Sequence, residues 1–424
     1  MEITSQKSRL NGEIIVPPSK SHTIRAIIIG ALSDGESVIY EPLDSLDTRS
    51  AASAVRAFGA TVDVEHDSWI IQGVGGKPRI PDDIVDVGNS GTTLYMIMGT
   101  ASLVDGWSVL TGDGQIRRRT AVPLMEALSG LGVKLFSTRG NGMAPIAVRG
   151  KMKGGHTSVV GISSQYVSSL LMSCPLAQDD SEINITKLNE RPYVRMTLDW
   201  LDFQGIILKI DDKMSHMNIK GKQLYHSFER KIPGDYSSAT FPLCAAALAG
   251  GTVTLKGLGV NDSQGDKKVI DILADMGASI KNDEQSVTVN GGRLKGINVD
   301  MNEIPDALPM LAVTACFAEG KTILHNVSQA RMKETDRISV MARELKKLGA
   351  DIKELPDGLE IKGMGLKGGS VHGYGDHRVV MAMTVAGLAA DGKITVDTAE
   401  SADVTFPDFW RKMRSLGAVI DIKE

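Results

Sequence analysis

Residues 237–278 read SSATFPLCAAALAGGTVTLKGLGVNDSQGDKKVIDILADMGA. The run 237–248 is apolar on every side, which predicts a helix buried all round. The glycines at 250–251 end it, and the alternation over 252–255 predicts a strand. A second, two-faced helix then ends at Gly277, where glycine suits a left-handed cap. This stretch therefore predicts a unit of buried helix, strand, outer helix and cap.

The same unit occurs six times, and the dipeptide that closes it recurs every 68 to 73 residues. The closing dipeptides are Gly59-Ala60, Gly132-Val133, Gly205-Ile206, Gly277-Ala278, Gly349-Ala350 and Gly417-Ala418. A long, regular period indicates a repeat architecture. Because 424 residues are too many for one core, six copies divide most simply into two bodies of three.

Composition argues against several classes of function. Aromatic residues make up only 4% and the net charge is −4, which disfavours nucleic-acid binding and requires any anion site to be local. The three cysteines lie in apolar segments without CxxC spacing, so they are predicted to be buried thiols: Cys174, Cys244 and Cys316. No apolar run approaches the length of a membrane span or resembles a signal peptide, so a cytoplasmic protein is expected.

Polar and charged residues gather where the first helix of each copy begins. These starts are residues 18–25, 88–93, 163–166, 234–238, 305–307 and 375–378. Helix capping, at about 1 kcal/mol each, explains most of them. It does not explain Lys20, Arg25 or Arg378, because a cation in the first turn opposes the helix dipole. These cations indicate a seat for phosphate or carboxylate.

Three charged loops extend this pattern: 115–119, 189–193 and 331–337. The arginines of the first loop could equally form a solvated surface run. In the third loop, Lys333 and Arg337 would repel each other on a helix, and Glu334 and Asp336 could neutralise them. If the six copies share one geometry, cations from several copies converge on one cleft.

Repeat and motifs together resemble the enolpyruvyl transferase family over nearly the whole chain. The motifs occur in the family's order: residues 17–21, 88–92, 163–165, 304–306, 333–337, 375–378 and 405–408. The resemblance implies an α/β fold, a two-domain inside-out barrel with three repeats per domain and buried helices surrounded by sheets. It implies one domain of residues 1–18 plus 234–424, another of residues 19–233, and an active site in the cleft between them.

The resemblance also implies transfer of the enolpyruvyl group of phosphoenolpyruvate to the 5-hydroxyl of shikimate 3-phosphate, in the pathway to chorismate and aromatic amino acids. The expected phosphoenolpyruvate ligands are Lys20, Gly91, Arg119, Gln165, Arg337 and Arg378. The expected shikimate 3-phosphate ligands are Lys20, Ser21, Arg25, Ser163, Ser164, Gln165, Arg191, Tyr193, Asp306, Gln329 and Lys333. The expected catalytic residues are Asp306, Glu334 and Lys20, with Asp306 accepting the hydroxyl proton and Glu334 protonating the methylene carbon.

Several residues depart from the family pattern. Val404 stands where many members have a lysine, Tyr95 where many have arginine, Gln329 where many have asparagine, and Glu190 where a small hydroxyl residue is usual.

Two alternative functions are weighed against the main one. One is transfer to a UDP-linked amino sugar, as in UDP-N-acetylglucosamine enolpyruvyl transferase, where a reactive cysteine is common in the loop that corresponds to residues 114–119; that loop has none here. The other is a noncatalytic repeat protein that only binds anions. Neither His22 nor His377 has a second histidine at ligand spacing, so no metal is expected. No organic cofactor and a monomeric state are expected too.

Overall fold

A computed structural model describes residues 1–423, and its contacts divide the chain into two compact units. Unit 1 holds Met1–Pro17 and the chain from Pro233 onward, and unit 2 holds Pro18–Ile232. Each unit has its own buried apolar core. The chain therefore begins in unit 1, builds unit 2, and returns to unit 1.

Strands and helices alternate along residues 1–423. The strands are β1 (Glu2–Gln6), β2 (Gly12–Ile15), β3 (Glu36–Tyr40), β4 (Thr61–Val64), β5 (Ser68–Gln72), β6 (Val85–Asp86), β7 (Trp107–Thr111), β8 (Lys134–Ser137), β9 (Ile146–Arg149), β10 (Gly155–Gly161), β11 (Ser181–Leu188), β12 (Leu208–Ile210), β13 (His216–Ile219), β14 (Glu229–Lys231), β15 (Thr252–Lys256), β16 (Ser279–Asn282), β17 (Ser286–Asn290), β18 (Asn298–Asp300), β19 (Lys321–His325), β20 (Asp351–Leu355), β21 (Gly358–Lys362), β22 (Lys367–Val371), β23 (Asp391–Val396) and β24 (Val419–Lys423). The α-helices are α1 (Lys20–Leu32), α2 (Leu46–Ala57), α3 (Gly91–Ala101), α4 (Val122–Gly130), α5 (Ser164–Ser173), α6 (Arg191–Phe203), α7 (Tyr236–Ala249), α8 (Lys268–Asp275), α9 (Leu308–Phe317), α10 (Arg337–Lys347), α11 (His377–Gly387) and α12 (Phe409–Ser415). Short 3-10 turns lie at Ile116–Arg118, Cys174–Leu176, Gly265–Lys267, Pro305–Ala307, Ser328–Met332 and Ala399–Val404.

Six four-stranded sheets, one for each repeat, occur in residues 1–423 and follow one plan. In the fifth repeat the order is β18-β19-β21-β20, with β18 parallel to β19 and the other two pairings antiparallel. The other five sheets have the same sequence of parallel and antiparallel pairings. This regularity agrees with the predicted repeat.

Three of these sheets are completed by strands from distant parts of the chain. Strand β14, at the end of unit 2, pairs in parallel with β3 near its beginning. Strand β2 pairs in parallel with β15. Strand β1 lies between β23 and β24 and is antiparallel to both. The N-terminal segment is thus part of two sheets of unit 1.

The two kinds of helix differ in burial as predicted. The first helix of each repeat lies in a core; in α11, for example, every residue is buried. The second helix buries one face: in α10, Ile338, Met341 and Leu345 are buried while Lys346 is exposed. Buried helices surrounded by sheets confirm the predicted fold class.

The closing glycines stand two residues after the last residue of each second helix, and all have positive φ. The angles are 106° at Gly59, 85° at Gly132, 68° at Gly205, 107° at Gly277, 87° at Gly349 and 100° at Gly417. Residues with a Cβ rarely adopt such φ values. The glycines recur because each outer helix must turn sharply into the next strand.

The cysteines are buried and form no disulfide in the part of the chain that the structure describes. Burial raises the pKa of each thiol, Cys174, Cys244 and Cys316, to about 12. They are therefore inert thiols, as predicted. Among residues 1–423, no helix has the length and apolar character needed to cross a membrane.

Candidate active site

Side chains cap five of the six first helices within residues 1–423. Each capping side chain accepts a hydrogen bond from a backbone N–H two or three residues further on. The caps are Ser19 of α1, Ser90 of α3, Ser163 of α5, Asp235 of α7 and Asp376 of α11. Helix α9 has no side-chain cap. Capping therefore accounts for part of the polar character of these starts, at about 1 kcal/mol each.

The polar cluster of unit 1 is centred on Arg337, whose side chain is only 1% exposed. Its Nη1 donates to Oδ1 of Asp306 at 2.8 Å, and its Nη2 donates to Oε2 of Glu334 at 2.5 Å. Its Nε and Nη2 also donate to the two carboxylate oxygens of Asp376, at 2.9 and 3.1 Å. Burial alone would lower the pKa of Arg337, but the carboxylates, Asp376 foremost, raise it above its usual value. One guanidinium thus holds three carboxylates together.

Two further cations approach Asp306. The Nζ of Lys333 lies 3.8 Å from its Oδ1, and the Nη2 of Arg378 lies 3.3 Å from its Oδ2. Burial alone would raise the pKa of the Asp306 carboxyl, but the three cations, of which Arg378 has the largest effect, hold it far below its usual range. We call Asp306, Lys333, Glu334, Arg337, Asp376 and Arg378 the acid–arginine cluster.

Asp376 is the member of this cluster that the sequence reasoning did not select. The motif 375–378 indicates Arg378 as a ligand, and it gives Asp376 no role beyond capping. The carboxylate is fully buried, caps α11 and accepts from Thr335 Oγ1 at 3.0 Å as well as from Arg337. An acid at the helix cap, directly before His377 and Arg378, was the available signal.

Gln329 lies in the turn Ser328–Met332 and is 3% exposed. Its Nε2 donates to the backbone oxygen of Asn302 at 3.0 Å, while its Oε1 accepts no hydrogen bond from residues 1–423. A buried acceptor left without a donor is unfavourable. This oxygen is therefore suited to a ligand hydroxyl.

The segment after this turn is not helical at Lys333, contrary to one possibility considered from the sequence. Helix α10 begins only at Arg337, so Lys333 and Arg337 do not share a helix face. Glu334 pairs with Arg337, as the neutralising interpretation required. Asp336, however, caps α10 and pairs with Arg331 at 2.7 Å, so it stabilises the helix start.

In unit 2, Arg25 of α1 is 1% exposed and bonds to neutral groups. Its guanidinium donates to Thr197 Oγ1, Ser21 O, Ser168 Oγ and Tyr193 O at 2.8, 3.0, 3.2 and 2.9 Å. Burial lowers the pKa of Arg25 to about 10. Because none of these acceptors carries a charge, the buried cation is suited to a nearby anion.

Lys20, the first residue of α1, has a carboxylate neighbour. Its Nζ lies 2.9 Å from Oδ2 of Asp47, and both side chains are largely buried, at 13% and 4% exposure. The sequence did not indicate this partner, which lies 27 residues away. Protein carboxylates thus accompany Lys20 here and Arg378 in unit 1, so neither cation depends on a ligand alone.

Hydrogen bonds join the starts of four helices in unit 2, and we call this set the helix-start network. Gln165 of α5 donates from Nε2 to Thr92 Oγ1 of α3 at 2.8 Å. Ser164 of α5 donates from N and Oγ to Glu190 Oε2, before α6, at 3.1 and 2.7 Å. Arg25 joins α1 to Tyr193 of α6, as described above.

Arg119 lies against the first residue of α3. A Cβ added to Gly91 would lie 2.4 Å from Nη1 of Arg119, so the guanidinium occupies space that a side chain at position 91 would need. Arg119 is half-buried, whereas Arg117 and Arg118 are exposed. Of the arginine run, only its last member is thus held against a helix start.

Arg191 differs from the other predicted ligands, all of which are buried or half-buried. It is the first residue of α6 and its side chain is exposed. Tyr95 and Val404, two departures from the family pattern, are both buried, and the Tyr95 hydroxyl donates to Thr120 O at 3.0 Å. No group of three metal-ligating side chains suited to a metal ion occurs in residues 1–423.

Comparisons with known proteins agree with the family resemblance that the sequence motifs indicate. Residues 4–413 match the family model of EPSP synthase (3-phosphoshikimate 1-carboxyvinyltransferase). The chain is 50% identical to the 3-phosphoshikimate 1-carboxyvinyltransferases of Ruminiclostridium cellulolyticum and of Acetivibrio thermocellus, with 100% of each chain covered. Its fold is similar to a solved structure of EPSP synthase from Acinetobacter baumannii, with a TM-score of 0.84, 27% identity and 100% of both chains covered.

Proposed function

This chain belongs to the EPSP synthase family, and from that premise we propose that it transfers the enolpyruvyl group of phosphoenolpyruvate to the 5-hydroxyl of shikimate 3-phosphate. The observation that carries the proposal is the acid–arginine cluster. Two guanidiniums and an ammonium adjoin two partly accessible carboxylates, Asp306 and Glu334. A transfer between two anionic metabolites requires this combination of cations and proton-transfer groups.

We assign the cations of both units to the two substrates. Arg337 and Arg378, with Lys20, Gly91, Arg119 and Gln165, would hold phosphoenolpyruvate. The other predicted ligands, among them Arg25, Lys333 and the Oε1 of Gln329, would hold the phosphate, carboxylate and ring hydroxyls of shikimate 3-phosphate. Arginine forks match planar carboxylates and phosphates, which supports the assignment of Arg337 and Arg378.

The cations also explain how Asp306 could become a base. In the cluster its pKa is held so low that it binds a proton weakly. The cations responsible are the ones assigned to the anionic substrates. When substrate charges share these cations, their effect on Asp306 weakens and its proton affinity rises. Substrate binding would thus prepare the base.

In the proposed reaction, two carboxyl groups account for every proton that is transferred. The hydroxyl oxygen bonds to C2 of phosphoenolpyruvate, Asp306 takes the hydroxyl proton, and C3 receives a proton from Glu334. The carboxylate of Glu334 then takes back a proton from the resulting methyl group as the C2–O bond to phosphate breaks, which restores the double bond. Phosphate leaves with the proton that Asp306 had taken, so both carboxyl groups return to their starting states.

The test measures phosphate release from phosphoenolpyruvate with shikimate 3-phosphate and, separately, with UDP-N-acetylglucosamine. Release is expected only with the former. In Asp306→Asn, turnover should fall by about 10²-fold or more, while both KM values stay within about threefold. Asp275→Asn, at an exposed position in the same unit, is the control and should keep normal turnover.

Release with the UDP sugar alone would overturn the assignment of substrate, and near-normal turnover of Asp306→Asn would overturn the role of that carboxylate. We also propose that the chain acts as a cytoplasmic monomer. Light scattering of the purified protein and cell fractionation would test these two points.

A further inference from the structure

Helix α10 contacts the segment before α11 at a second place, seven residues after Arg337. Glu344 is fully buried there although it carries a carboxylate. Its Oε2 accepts from the backbone N–H of His372 at 3.0 Å, and its Oε1 accepts from the Tyr374 hydroxyl at 2.7 Å. A buried carboxylate is unfavourable unless it is paired and hydrogen-bonded. Both of its oxygens are used on residues 372–374.

Two cations of the same helix keep this carboxylate charged. Lys347 Nζ lies 2.6 Å from Oε2 and Arg343 Nε lies 3.4 Å from Oε1 of Glu344. Burial alone would raise the pKa of Glu344, but the hydrogen bonds from Lys347, His372 and Tyr374 lower it. Arg343 also lies over the Tyr374 ring, 4.9 Å from its centroid. The bonds to the segment are therefore charge-assisted, which makes them strong.

The other side of the segment is held as well. The backbone N–H of Gly373 donates to Asp397 Oδ1 at 2.7 Å, and that of Gly375 donates to Thr398 Oγ1 at 3.0 Å. Between them Tyr374 has φ of 58°, a left-handed conformation that is uncommon for a residue with a Cβ. Such a conformation persists only where surrounding contacts impose it. The shape of residues 372–375 is thus set from two sides.

The next residue, Asp376, belongs to the acid–arginine cluster. It accepts from Nε and Nη2 of Arg337 and from the backbone N–H of Arg378. Helix α10 therefore forms hydrogen bonds to one short segment at two points: Glu344 bonds to residues 372–374, and Arg337 bonds to residue 376. A shift of the segment would move Asp376, and with it the two arginines.

We propose that Glu344 is a positioning residue: by fixing residues 372–376 it sets the guanidiniums of Arg337 and Arg378 for phosphoenolpyruvate. This inference rests on the proposed function of that site. Glu344 itself touches neither substrate. Its removal should weaken the binding of one substrate only, because the segment leads to the cations assigned to phosphoenolpyruvate.

The experiment compares KM values for the two substrates in single and double variants. In Glu344→Gln, which keeps the shape of the side chain, KM for phosphoenolpyruvate should rise about tenfold, and KM for shikimate 3-phosphate should change by less than about twofold. Tyr374→Phe, which removes one hydroxyl, should shift the same KM in the same direction by a smaller factor. Because both changes act on one bond, their combined effect should be less than the product of the two.

Glu360→Gln is the matched control, since Glu360 pairs with Lys321 in the sheet of the fifth repeat; it should leave both KM values unchanged. Arg378→Ala separates the two proposals. If Arg378→Ala raises KM for phosphoenolpyruvate and neither Glu344→Gln nor Tyr374→Phe does, the positioning role is refuted. If Arg378→Ala leaves it unchanged, the phosphoenolpyruvate site fails and the inference fails with it. A lower melting temperature with unchanged KM values, or an equal rise of both KM values, would also refute it.

Discussion

At the scale of single residues, Arg337 shows how a guanidinium organises a buried site. Its bonds to Asp306, Glu334 and Asp376 radiate in one plane from a side chain that is 1% exposed. Lysine could not replace it, because an ammonium is a point charge without the planar fork. Removing the guanidinium would leave buried carboxylates unpaired, which typically costs about 3–5 kcal/mol.

The ion pairs of Asp306 should make stability depend on pH. Its folded pKa lies below its unfolded value, so the stabilisation is complete above about pH 4 and is lost as the pH falls toward the folded pKa. The wild type should exceed Asp306→Asn in free energy of unfolding by about 2–3 kcal/mol at pH 7. That difference should shrink steadily below about pH 4.

Urea denaturation at a series of pH values measures the difference in free energy of unfolding between wild type and Asp306→Asn. Hydrogen exchange of unit 1 peptides measures the same difference within unit 1. Asp275→Asn, which alters an exposed carboxylate, should follow the wild type at every pH. A difference between wild type and Asp306→Asn that persists unchanged at pH 2.5 would contradict the argument.

The sequence indicates members of this cluster and one local pair, Glu334 with Arg337, but not the pairs between distant segments. Lys333, Glu334 and Arg337 stand in one motif, and charged residues in a short loop are visible in the sequence. The bond from Arg337 to Asp376 joins residues 39 apart. Such a pairing depends on how the start of α10 lies against the residue that caps α11, which local patterns do not encode.

At the scale of secondary structure elements, the closing glycines allow each outer helix to end and turn into the next strand. Gly349 has φ of 87°, and a Cβ there would meet only the Lys367 side chain at ordinary distances of 3.7 Å and more. Gly349→Ala should therefore destabilise through its backbone alone, by about 1–2 kcal/mol. Urea denaturation would measure the loss.

Gly259→Ala is the control, because an added Cβ would contact nothing within 4 Å and no positive φ is required there. Its effect should be within about 0.5 kcal/mol. Equal destabilisation by the two changes would show that φ at the helix end is unimportant.

Periodicity made the fold class predictable, since helices, strands and caps recur with local signatures. The pairing partners of several strands, in contrast, could not be predicted from local signatures. No feature of the β14 sequence indicates that this strand pairs with β3. Likewise, no feature of the β1 sequence indicates that this strand joins the sheet of the sixth repeat. Both strands are short and their partners lie far along the chain, so tertiary packing decides the pairing.

At the scale of the whole molecule, the N-terminal segment should be required by one unit only. Removing residues 1–17 deletes β2 and takes β1 from between β23 and β24, along with the core residues Ile3 and Leu10. Unit 1 should then fail to fold, while unit 2, which keeps all its strands, should remain folded.

Hydrogen exchange of the truncated chain tests this expectation, with residues 18–232 alone as the reference for unit 2. Helices α1, α3 and α5 should be protected equally in both chains. Continued protection of α9 and α11 after truncation would disprove the dependence.

The placement of β1 also fixes an order of events during translation. Its residues are synthesised before the whole of unit 2, but its partner β24 is made only after unit 2. At typical speeds of about 5–20 residues per second, the wait is roughly 20–80 s. Meanwhile the nascent chain already contains every strand and helix of unit 2. Strand β1 is therefore synthesised before unit 2 but can reach its native place only after unit 2 has been made.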